Sequence, residues 1–591
     1  MKQLTLTFLL ALLPMLANAD PVEIDGIWYN LVTKAKIAEV THNPNGYNIT
    51  DNLVIPASIK YDGEEYSVTG IVDAKVDGYW NGVFANCSGI TSVTLPNSLL
   101  RIGRYAFAGC SSLTDFVIPN GVKEIGNAAF MCSSITSVSI PSSVTKIESA
   151  AFRDCSLLNS VHITDLEAWC KVSFLGDCSS APFCGTLSDR FTAYHLYLNG
   201  EEIKDLLIPN SVKTIGNHTF YGCIGLSSVT IPEGVTTICR GAFFGCRELK
   251  NLAIPKTVTS IGSEAFSLCS NLSSVQITDL EAWCQISFDS NISNPLSFAH
   301  HLYLNGEEIK DLMIPNSITN IKSLSFYGCE GLATITIPSS VTTIGSCTFY
   351  GCSNLSSVTI PGNVKTIGES AFSGCSNLNT ISIANGVGRI MNNAFAQCKE
   401  LSNVYCSAEN ITSGSSEEWD FSRAFDGSIT KGSIALITNE KAFDGSYIEY
   451  ATLHVPESAI NTYKNTAPWS GFGTFVTISG EEPETSKCAT PTISIEDGKI
   501  KFSCETEGAK FVSTVSTTDT KNYYDAELTL AYKYKVTVYA TKVGYDYSDT
   551  ATREIVITEN GKAFLVGDVD GDGQVNVADH VELTKIIMNE E

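Results

Sequence analysis

Apolar and polar positions repeat along most of the chain with a period of 22 or 23 residues. Each repeat follows the frame Leu-x-x-Val-x-Ile-Pro-x-x-Val-x-x-Ile-x-x-x-Ala-Phe-x-x-Cys, which residues 226–246 match throughout. Short alternating runs of this kind predict β-strands separated by turns. One such unit cannot bury its apolar face alone, so stability requires stacked neighbours, and the product is a solenoid with a long exposed surface. This architecture favours binding over catalysis.

The period and the apolar spacing are those of leucine-rich repeats. We therefore predict a mainly β fold, in which a leucine-rich-repeat solenoid with capping regions is followed by a small β-sandwich and a C-terminal calcium-loop and helix segment. Caps are expected because the open ends of a repeat array would expose apolar surface. The predicted boundaries are a signal peptide at 1–19, an N-terminal β-rich cap at 20–82, the solenoid at 83–406, a C-terminal cap at 407–479, a linker at 480–487, the β-sandwich at 488–560 and the calcium-loop segment at 565–591.

Two modules interrupt the repeats, at 163–209 and 277–315. Both contain the heptad Thr-Asp-Leu-Glu-Ala-Trp-Cys, at 164–170 and 278–284. Its Thr and Glu have capping-box spacing, so we expect the heptad to open a short helix. Both modules end in an Asn-Gly pair between alternating runs, which predicts a β-hairpin. We interpret them as inserted modules, duplicated with their neighbouring rungs, and as the first place to look for binding specificity.

Eleven of the twenty cysteines recur once per repeat. So many cysteines in an exported chain would ordinarily suggest disulfides. Residues at the same position of every rung stack in a file, however, and cysteine is among the most often buried residue types. We therefore expect buried thiols at this position, in Cys87, Cys110, Cys132, Cys155, Cys223, Cys246, Cys269, Cys329, Cys352, Cys375 and Cys398.

Four further cysteines are disulfide candidates. Cys178 and Cys184 lie in a stretch of the first module that the second module lacks, so either a local disulfide or two free thiols would fit there. Cys488 and Cys504 lie outside the repeats, in the predicted β-sandwich. Because an exported domain is exposed to an oxidising environment, we expect these two to be bridged.

The first residues of the chain indicate export. An apolar run that is too short to span a bilayer is followed by Ala17-Asn18-Ala19, which predicts cleavage before Asp20. No cysteine follows that site, which argues against a lipid anchor, and we expect no transmembrane anchoring. The net charge of −25 argues against nucleic acid and acidic lipids as partners. We expect a secreted or cell-surface protein.

An acidic loop near the C terminus matches the twelve-residue calcium loop. Oxygen ligands occupy the expected positions, a glycine allows the sharp turn, and one residue contributes its backbone carbonyl. A solvated acidic tail is the alternative interpretation. The predicted ligands of one calcium ion are Asp568, Asp570, Asp572, Gln574, Asn576 and Asp579.

No catalytic residue is predicted. Adjacent carboxylates follow both Asn-Gly turns, where solvated charge is expected, and the nearby histidines lack the spaced partners of a zinc site. The sequence contains no nucleophile elbow, phosphate loop or paired Cys-x-x-Cys motif. The side chains considered are Glu201, Glu202, Glu307, Glu308, His195, His300 and His301.

Serine and threonine dominate the outward positions of the predicted rung strands, as in Thr334 and Thr336. Cross-strand hydroxyl pairs each stabilise a sheet by roughly 0.2–1 kcal/mol, and the same ladders would present an extended recognition face. Aromatic residues are nearly absent from these positions, Tyr405 being an exception. This disfavours a sugar-binding face, which would rely on aromatic platforms.

The repeats, for example residues 356–375, closely resemble the BspA-like leucine-rich repeats of bacterial surface and secreted proteins, over about residues 80–410. The resemblance implies an exported, non-enzymatic protein, some of whose relatives adhere to host extracellular-matrix proteins or to other bacteria. The acidic loop resembles one repeat of a type I dockerin, which docks onto cohesin-bearing scaffolds of polysaccharide-degrading assemblies. A full dockerin carries two such loops, and one is visible here.

Two functional hypotheses follow. The first is an adhesin-like binding protein that recognises host-matrix or bacterial surface proteins through the repeat surface. The second is a non-catalytic component of a polysaccharide-degrading assembly, recruited by a cohesin-like module through the calcium loop. A loop that only orders the C terminus is the alternative to docking. An enzyme is disfavoured, because its chemistry would have to lie in unpatterned loops.

Overall fold

The computed structural model describes a mainly β protein with few helices, whose repeats form a β-solenoid of about 15 turns. The rungs of the solenoid stack in parallel and in register along the chain. The described residues are 21–76, 79–175, 183, 194–414, 435–478, 489–496, 499–507, 509–517, 532–541, 551–557 and 563–565.

Each regular rung contains one longer strand, one two-residue strand and a turn. In one central rung, Ser228–Thr230 is the longer strand and Thr237–Ile238 is the short one. The two are joined through Pro232 and Val235, as the sequence frame predicts. Apolar side chains of both strands point inward and polar ones point outward, because successive residues of a strand face opposite sides. The rung therefore has two outer surfaces, which we call the long-strand face and the short-strand face.

The long-strand face is divided into sheets, and the breaks between its three larger sheets follow the two hairpins. Its first pair is Asp51–Val54 with Ile90–Thr94. The next sheet contains Asp115–Val117, Ser137–Ile140, Ser160–Ile163, His195–Leu198 and Glu201–Glu202. The third contains Asp205–Leu207, Ser228–Thr230, Asn251–Ile254, Ser274–Ile277, Leu302–Leu304 and Glu307–Glu308. The last contains Asp311–Met313, Thr334–Thr336, Ser357–Ile360, Thr380–Ile383, Asn403–Cys406, Thr452–Val455 and Thr474–Thr477.

The short-strand face is divided in the same places. Its first sheet contains Val22–Ile24, Ile27–Val32, Ile37–Val40, Ser58–Tyr61, Glu64–Ile71, Arg101–Ile102, Glu124–Ile125, Lys146–Ile147 and Ser173–Phe174. The second contains Thr214–Ile215, Thr237–Ile238, Ser260–Ile261 and Ser287–Phe288. The third contains Asn320–Ile321, Thr343–Ile344, Thr366–Ile367, Arg389–Ile390, Ile411–Gly414 and Leu436–Asn439. A separate small hairpin pairs Ala74–Val76 with Tyr79–Asn81.

The phenylalanines of the repeats stack in an interior column of three segments. Successive rings are nearly parallel and their centroids are 5.2–5.7 Å apart. Nine of these phenylalanines also donate their backbone N–H to the rung that follows, as Phe243 does to the Ala265 carbonyl at 2.8 Å. Ring stacking and backbone pairing thus fix the same register. The column consists of Phe84, Phe107, Phe130, Phe152 and Phe183, then Phe220, Phe243 and Phe266, then Phe326, Phe349, Phe372, Phe395 and Phe443.

The repeating cysteines form a second interior column, and their predicted burial as free thiols is confirmed for ten of the eleven. Seven of these thiols reach the carbonyl oxygen of the phenylalanine in the preceding rung, as Cys269 Sγ does to Phe243 at 3.2 Å and Cys375 Sγ to Phe349 at 3.2 Å. Burial raises the pKa of the Cys269 thiol to about 12. The cysteine is therefore a small packing residue that also satisfies a buried carbonyl.

Cys132 is the exception, and its predicted burial is wrong. It is exposed and adopts a left-handed backbone conformation with a φ of 58°. The buried position three residues after Phe130 belongs to Ser133, whose hydroxyl lies 3.4 Å from Cys155 Sγ. A serine hydroxyl replaces the thiol in this rung, and the neighbouring cysteine is displaced to the surface.

Native-state thiol labelling will separate Cys132 from the column. We expect a maleimide to modify Cys132 in the folded protein, whereas Cys110 and Cys155 react only after denaturation. Burial and the nearby Asp154 raise the pKa of the Cys132 thiol, so its labelling rate will rise with pH above 8 as the thiolate forms. Peptide mapping by mass spectrometry measures both rates. Equal protection of Cys132 and Cys110 would contradict this arrangement.

The two modules are themselves rungs, which corrects their interpretation as insertions. In the first, helix α1 (Leu166–Cys170) replaces the Pro-x-x-Val turn and leads into the short strand Ser173–Phe174. In the second, helix α2 (Leu280–Cys284) does the same before Ser287–Phe288. The predicted helices are confirmed. The N-cap, however, is the aspartate after the expected threonine, since the side chain of Asp165 accepts the Ala168 N–H at 3.0 Å.

The second module carries an additional turn before its hairpin. A 3₁₀ turn at Asn291–Ser293 precedes helix α3 (Leu296–Ala299), which packs against the long strand Ser274–Ile277. The buried Asn294 side-chain amide donates to the carbonyl of Leu324. This turn therefore ties the module to the rung that follows.

Both predicted hairpins are present. In each, the strand before the Asn-Gly pair joins the solenoid sheet and the strand after it runs antiparallel. Asn199 and Gly200 have φ values of 53° and 91°, which is the backbone that a tight two-residue hairpin turn requires. After the turn, Asp205–Leu207 resumes the rung pattern.

The ends of the solenoid continue its sheets. At the N terminus, Glu64–Ile71 pairs with the short strand Arg101–Ile102. At the C terminus, Thr452–Val455 and Thr474–Thr477 extend the long-strand sheet, so the segment predicted as a cap supplies further rungs. Helix α4 (Ile460–Asn465) and short 3₁₀ turns at Ile448–Tyr450, Glu457–Ala459 and Trp469–Gly471 cover this end.

Beyond residue 489 the described segments are antiparallel strands. Thr492–Glu496 pairs with Lys499–Ser503, and a four-stranded sheet contains Lys510–Thr517, Tyr532–Thr541, Ala551–Ile557 and Ala563–Leu565. These strands lie within the range predicted as a β-sandwich, which stays a prediction. The predicted signal peptide, the linker, Cys178, Cys184, Cys488 and the calcium loop lie outside the described residues.

Candidate functional site

The long-strand face presents two parallel columns of outward side chains. The first, which we call the polar column, contains almost only hydroxyl, amide, carboxylate and imidazole groups. Neighbouring rungs pair within it, as Asp205 does with the Ser228 hydroxyl at 2.6 Å and Asp311 with the Thr334 hydroxyl at 2.7 Å. Its members include Asp115, Ser137, Ser160, His195, Asp205, Ser228, Asn251, Ser274, Asp311, Thr334, Ser357, Thr380, Asn403, Thr452 and Thr474.

The second column, which we call the mixed column, combines hydroxyls with exposed apolar and aromatic groups. Val117 and Leu207 are 69% and 65% exposed, although both belong to strands whose alternate residues are fully buried. Val54, Tyr405 and Val476 in the same column are also exposed. Its members include Val54, Thr94, Val117, Ser139, His162, Tyr197, Leu207, Thr230, Gln276, Tyr303, Met313, Thr336, Thr359, Ser382, Tyr405, His454 and Val476.

The sequence prediction that aromatic groups are nearly absent from the outward positions is wrong for this column. His162 stacks on Tyr197 at 4.7 Å, and Tyr405 stacks on His454 at 4.1 Å. Tyr405 was recognised from the sequence, whereas His162, Tyr197 and His454 were missed because their strands belong to the first module and to the C-terminal segment. Stacking covers one face of each ring in these two pairs. A sugar ring stacks on an aromatic face, so each of these rings keeps at most one face for such a contact.

The two hairpins bring together pairs of side chains that the sequence did not associate. His195 Nδ1 lies 2.6 Å from Glu202 Oε1, and His301 Nδ1 lies 2.6 Å from Glu308 Oε1. Glu202 also faces Lys204 at 3.7 Å. The signal available in the sequence was the identical seven-residue separation across both Asn-Gly turns. These side chains, treated as isolated surface groups in the sequence, form two matched ionic clusters.

The third histidine considered in the sequence has a structural role. His300 ends helix α3 in a left-handed conformation, and its Nδ1 lies 3.1 Å from the Gly328 carbonyl and 3.4 Å from Glu330. Among the described residues, no group of three or more His, Cys, Asp or Glu side chains is arranged to hold a metal ion. The proposed calcium ligands lie outside those residues.

One open groove lies on the short-strand face, where the second module meets the following rungs. It has a volume of about 500 Å³ and is lined mainly by serine, threonine and glycine with Lys322 and Glu369. Lys322 Nζ donates to the Ser287 hydroxyl at 2.9 Å. The groove is open, and the apolar side chains of Phe288, Ile344 and Met391 also line it.

The fold and its exposed face define a leucine-rich-repeat scaffold of the kind that generally binds partners without catalysing reactions. The model of the BspA type Leucine rich repeat region matches residues 80–180, 193–294 and 297–418, with six copies. These ranges cover more than half of the 591 residues, and the chain belongs to the BspA-type leucine-rich repeat family. Proteins of this family are often found at the cell surface, and no enzyme family is indicated.

Several solved structures are similar to the chain. A leucine-rich repeat protein from Bacteroides ovatus is 24% identical, with a TM-score of 0.42, covering 65% of this chain and 94% of that one. A leucine-rich cell surface protein from Faecalibacterium prausnitzii is 22% identical, with a TM-score of 0.36, covering 79% and 96%. The pneumococcal vaccine antigen PcpA is 15% identical, with a TM-score of 0.33, covering 78% and 99%. Comparison with curated proteins gives no match.

In the part of the chain that the structure describes, no helix combines the length and the apolar character needed to cross a bilayer. The helices there have four to six residues each. A bilayer-spanning helix requires about 20 apolar residues.

Proposed function

We propose that this protein is a secreted or cell-surface bacterial binding protein, adhesin-like in its action, that recognises protein partners through its long-strand face. The proposed partners are extracellular host-matrix proteins or surface proteins of other bacteria. Membership of a family whose proteins are often found at the cell surface supports this proposal.

The observation that carries the proposal is the mixed column. Exposed apolar residues scattered singly over a protein need no explanation, but Val54, Val117, Leu207, Tyr405 and Val476 share one column of one face. Protein interfaces combine apolar and aromatic contact with about one hydrogen bond per 100–200 Å². The adjoining polar column supplies donors and acceptors along the same length, so the two columns together suit a protein surface.

Introducing negative charge into the mixed column tests the proposal. We expect Val117→Asp with Leu207→Asp to weaken binding of the mature chain to immobilised matrix proteins or bacterial surface proteins by about tenfold or more, because a carboxylate would be desolvated in the interface. Surface plasmon resonance measures the loss. The matched control, Thr236→Asp with Thr342→Asp, adds the same charge at exposed positions bordering the short-strand face. Equal effects of the two double variants would overturn the assignment of the face.

A second function is supported by the acidic loop at residues 568–579. Its carboxylates would hold one calcium ion, and the ordered loop would recruit the chain to a cohesin-like module of a polysaccharide-degrading assembly. Oxygen ligands at this spacing repel one another without a cation, so calcium is expected to order the segment.

Removal of two predicted ligands tests this second function. We expect the full chain to bind one calcium ion by isothermal titration calorimetry, and Asp568→Ala with Asp570→Ala to abolish that binding. Calcium-dependent capture on an immobilised cohesin should be lost in parallel. Capture that persists in the double variant would exclude docking through this loop, whereas calcium binding without capture would leave it as a C-terminal cap.

A further inference from the structure

The two hairpins carry the same surface twice. Residues 195–206 and 301–312 have the same twelve-residue sequence, His-Leu-Tyr-Leu-Asn-Gly-Glu-Glu-Ile-Lys-Asp-Leu. Both fold into the same hairpin on the long-strand face. We name the side chains of residues 195–205 the first patch and those of 301–311 the second patch.

The conformations of the patches agree in detail. The imidazole-to-carboxylate distance is 2.6 Å in both, and the lysine-to-carboxylate distances are 3.7 Å and 3.8 Å. Each pair sits over a glycine of the next rung, since a Cβ at Gly225 would lie 2.6 Å from Glu202 Oε1 and one at Gly331 2.7 Å from Glu308 Oε1. The two rungs between them carry Glu248 and Asn271 at the position of this glycine. The packing of the ionic groups is thus duplicated, whereas the tyrosines differ in their neighbour, which is His162 for Tyr197 and Gln276 for Tyr303.

The chemistry of each patch fits a basic segment. The first patch carries Glu201, Glu202 and Asp205 against the single Lys204, and the second patch repeats these charges. An outward tyrosine lies opposite the glutamate in each hairpin. An arginine can place its guanidinium on a tyrosine ring and its donors on carboxylates, while its aliphatic stem covers neighbouring apolar surface such as Leu207. The chain's net charge of −25 also attracts a basic partner.

The solenoid sets the spacing of the patches. The strands that follow the first hairpin and lead to the second are successive members of one parallel sheet, Asp205–Leu207, Ser228–Thr230, Asn251–Ile254, Ser274–Ile277 and Leu302–Leu304. At about 4.8 Å per strand, and with the first hairpin added, the patches are roughly 25–30 Å apart on one face.

We infer that the two patches are equivalent docking sites for a protein partner that presents the same basic segment at least twice, such as a polymeric or fibrous protein. This inference rests on the proposed function and specifies its partner. A ligand that engages both patches binds the second one intramolecularly, so its affinity exceeds that of a single segment by an effective-concentration factor. A partner with one segment can bind either patch but not both at once, so its affinity increases only by the statistical factor of two equivalent sites.

Arginine peptides of defined spacing test the inference on the mature full-length chain. The monovalent probe is three arginines with nine prolines, and the divalent probe has three arginines at each end of nine prolines, a spacer of about 28 Å. In 0.15 M salt we expect the divalent probe to bind about 10- to 100-fold more tightly. A divalent probe with three prolines, about 9 Å long, should gain no more than about twofold.

Variants of single patches complete the test. Glu201→Gln with Glu202→Gln, or Glu307→Gln with Glu308→Gln, should each abolish the spacer-dependent gain and weaken the monovalent probe only about twofold. The control, Glu449→Gln with Glu457→Gln, removes two exposed carboxylates from the C-terminal end and should preserve the gain. Circular dichroism checks that each variant is folded.

Three results would overturn the inference. They are a gain that does not depend on the spacer, a gain that survives loss of either patch, and absence of monovalent binding. If one of these occurs while the mixed-column variants still lose their partner, the face binds proteins but the patches do not act as a pair. If the mixed-column variants also bind normally, the proposed function fails as well.

Discussion

Replacing Phe243 by alanine will destabilise the rungs around it by about 3–5 kcal/mol. Its ring is fully buried and lies between those of Phe220 and Phe266 at 5.3 Å and 5.4 Å. Removing it leaves a cavity in a column that is continuous through this part of the solenoid. The Phe243 carbonyl also accepts the Cys269 thiol, so a backbone that relaxes into the cavity would disturb the cysteine column too.

The damage should be local. Each rung contacts only its neighbours, so a repeat protein is approximately a chain of rung stabilities and interface terms. We expect hydrogen-exchange protection to fall most in residues 226–272, and much less near Phe372, in addition to a lower melting temperature.

Two variants control this experiment. Phe243→Leu keeps most of the volume and should cost clearly less. Phe244→Ala removes the adjacent ring, which is only partly buried and stacks on Tyr221 near the surface at 4.6 Å, and should cost about 1 kcal/mol. A Phe244→Ala effect as large as that of Phe243→Ala would contradict the central role of the column.

The rung architecture was predictable because one packing solution repeats. The apolar spacing of one rung alone would not define the fold. Because the same spacing returns along the chain, few arrangements bury every phenylalanine and cysteine. Cys132 shows the limit of counting cysteines alone. The buried position is set by its distance from the preceding phenylalanine, three residues after Phe130, and counting from the ring would have identified Ser133.

The modules could be predicted only in part. Their helices and hairpins have local signals, the Asp-x-x-Ala cap and the Asn-Gly turn, which act over a few residues. Their place within the solenoid depends on Ser173–Phe174 pairing with Lys146–Ile147, a long-range contact that the altered sequence frame conceals. The His195 and Glu202 pair was hidden for a similar reason, since two side chains meet across a turn only when the strand register is known.

Both hydrogen-bonded sheets of the solenoid are interrupted beside each of the two modules. Isolated backbone hydrogen bonds still cross the breaks, from the Tyr194 N–H to the Gly222 carbonyl at 3.0 Å and from the Lys322 N–H to the Cys284 carbonyl at 3.4 Å, and side chains add to the coupling. In the second module, the buried Trp283 donates its indole N–H to the Ser325 carbonyl at 2.9 Å, directly before Phe326 of the following column segment. In the first module, Trp169 donates to the Thr219 carbonyl at 3.0 Å, directly before Phe220. Each tryptophan links one segment of the solenoid to the next.

Replacing Trp283 by alanine is therefore expected to uncouple the segments on its two sides. The cavity costs about 3–5 kcal/mol, and it lies where the hydrogen-bonded sheets are interrupted. Differential scanning calorimetry should show a transition that broadens or divides, rather than one that only moves to lower temperature. A single sharp transition in Trp283→Ala would show that the backbone contacts across the break suffice.

The corresponding phenylalanine variants separate packing from hydrogen bonding. Trp169→Phe and Trp283→Phe lose similar volumes, but the carbonyls they leave differ. In Trp283→Phe, the Ser325 carbonyl still accepts the amide of Asn294, which precedes helix α3, at 3.3 Å. The first module has no counterpart of this segment among its described residues, so Trp169→Phe leaves the Thr219 carbonyl without such a second donor. An unsatisfied buried carbonyl costs about 1–3 kcal/mol, so Trp169→Phe should destabilise its junction more than Trp283→Phe does. The reverse order would mean that volume, and not the indole donor, holds the segments together.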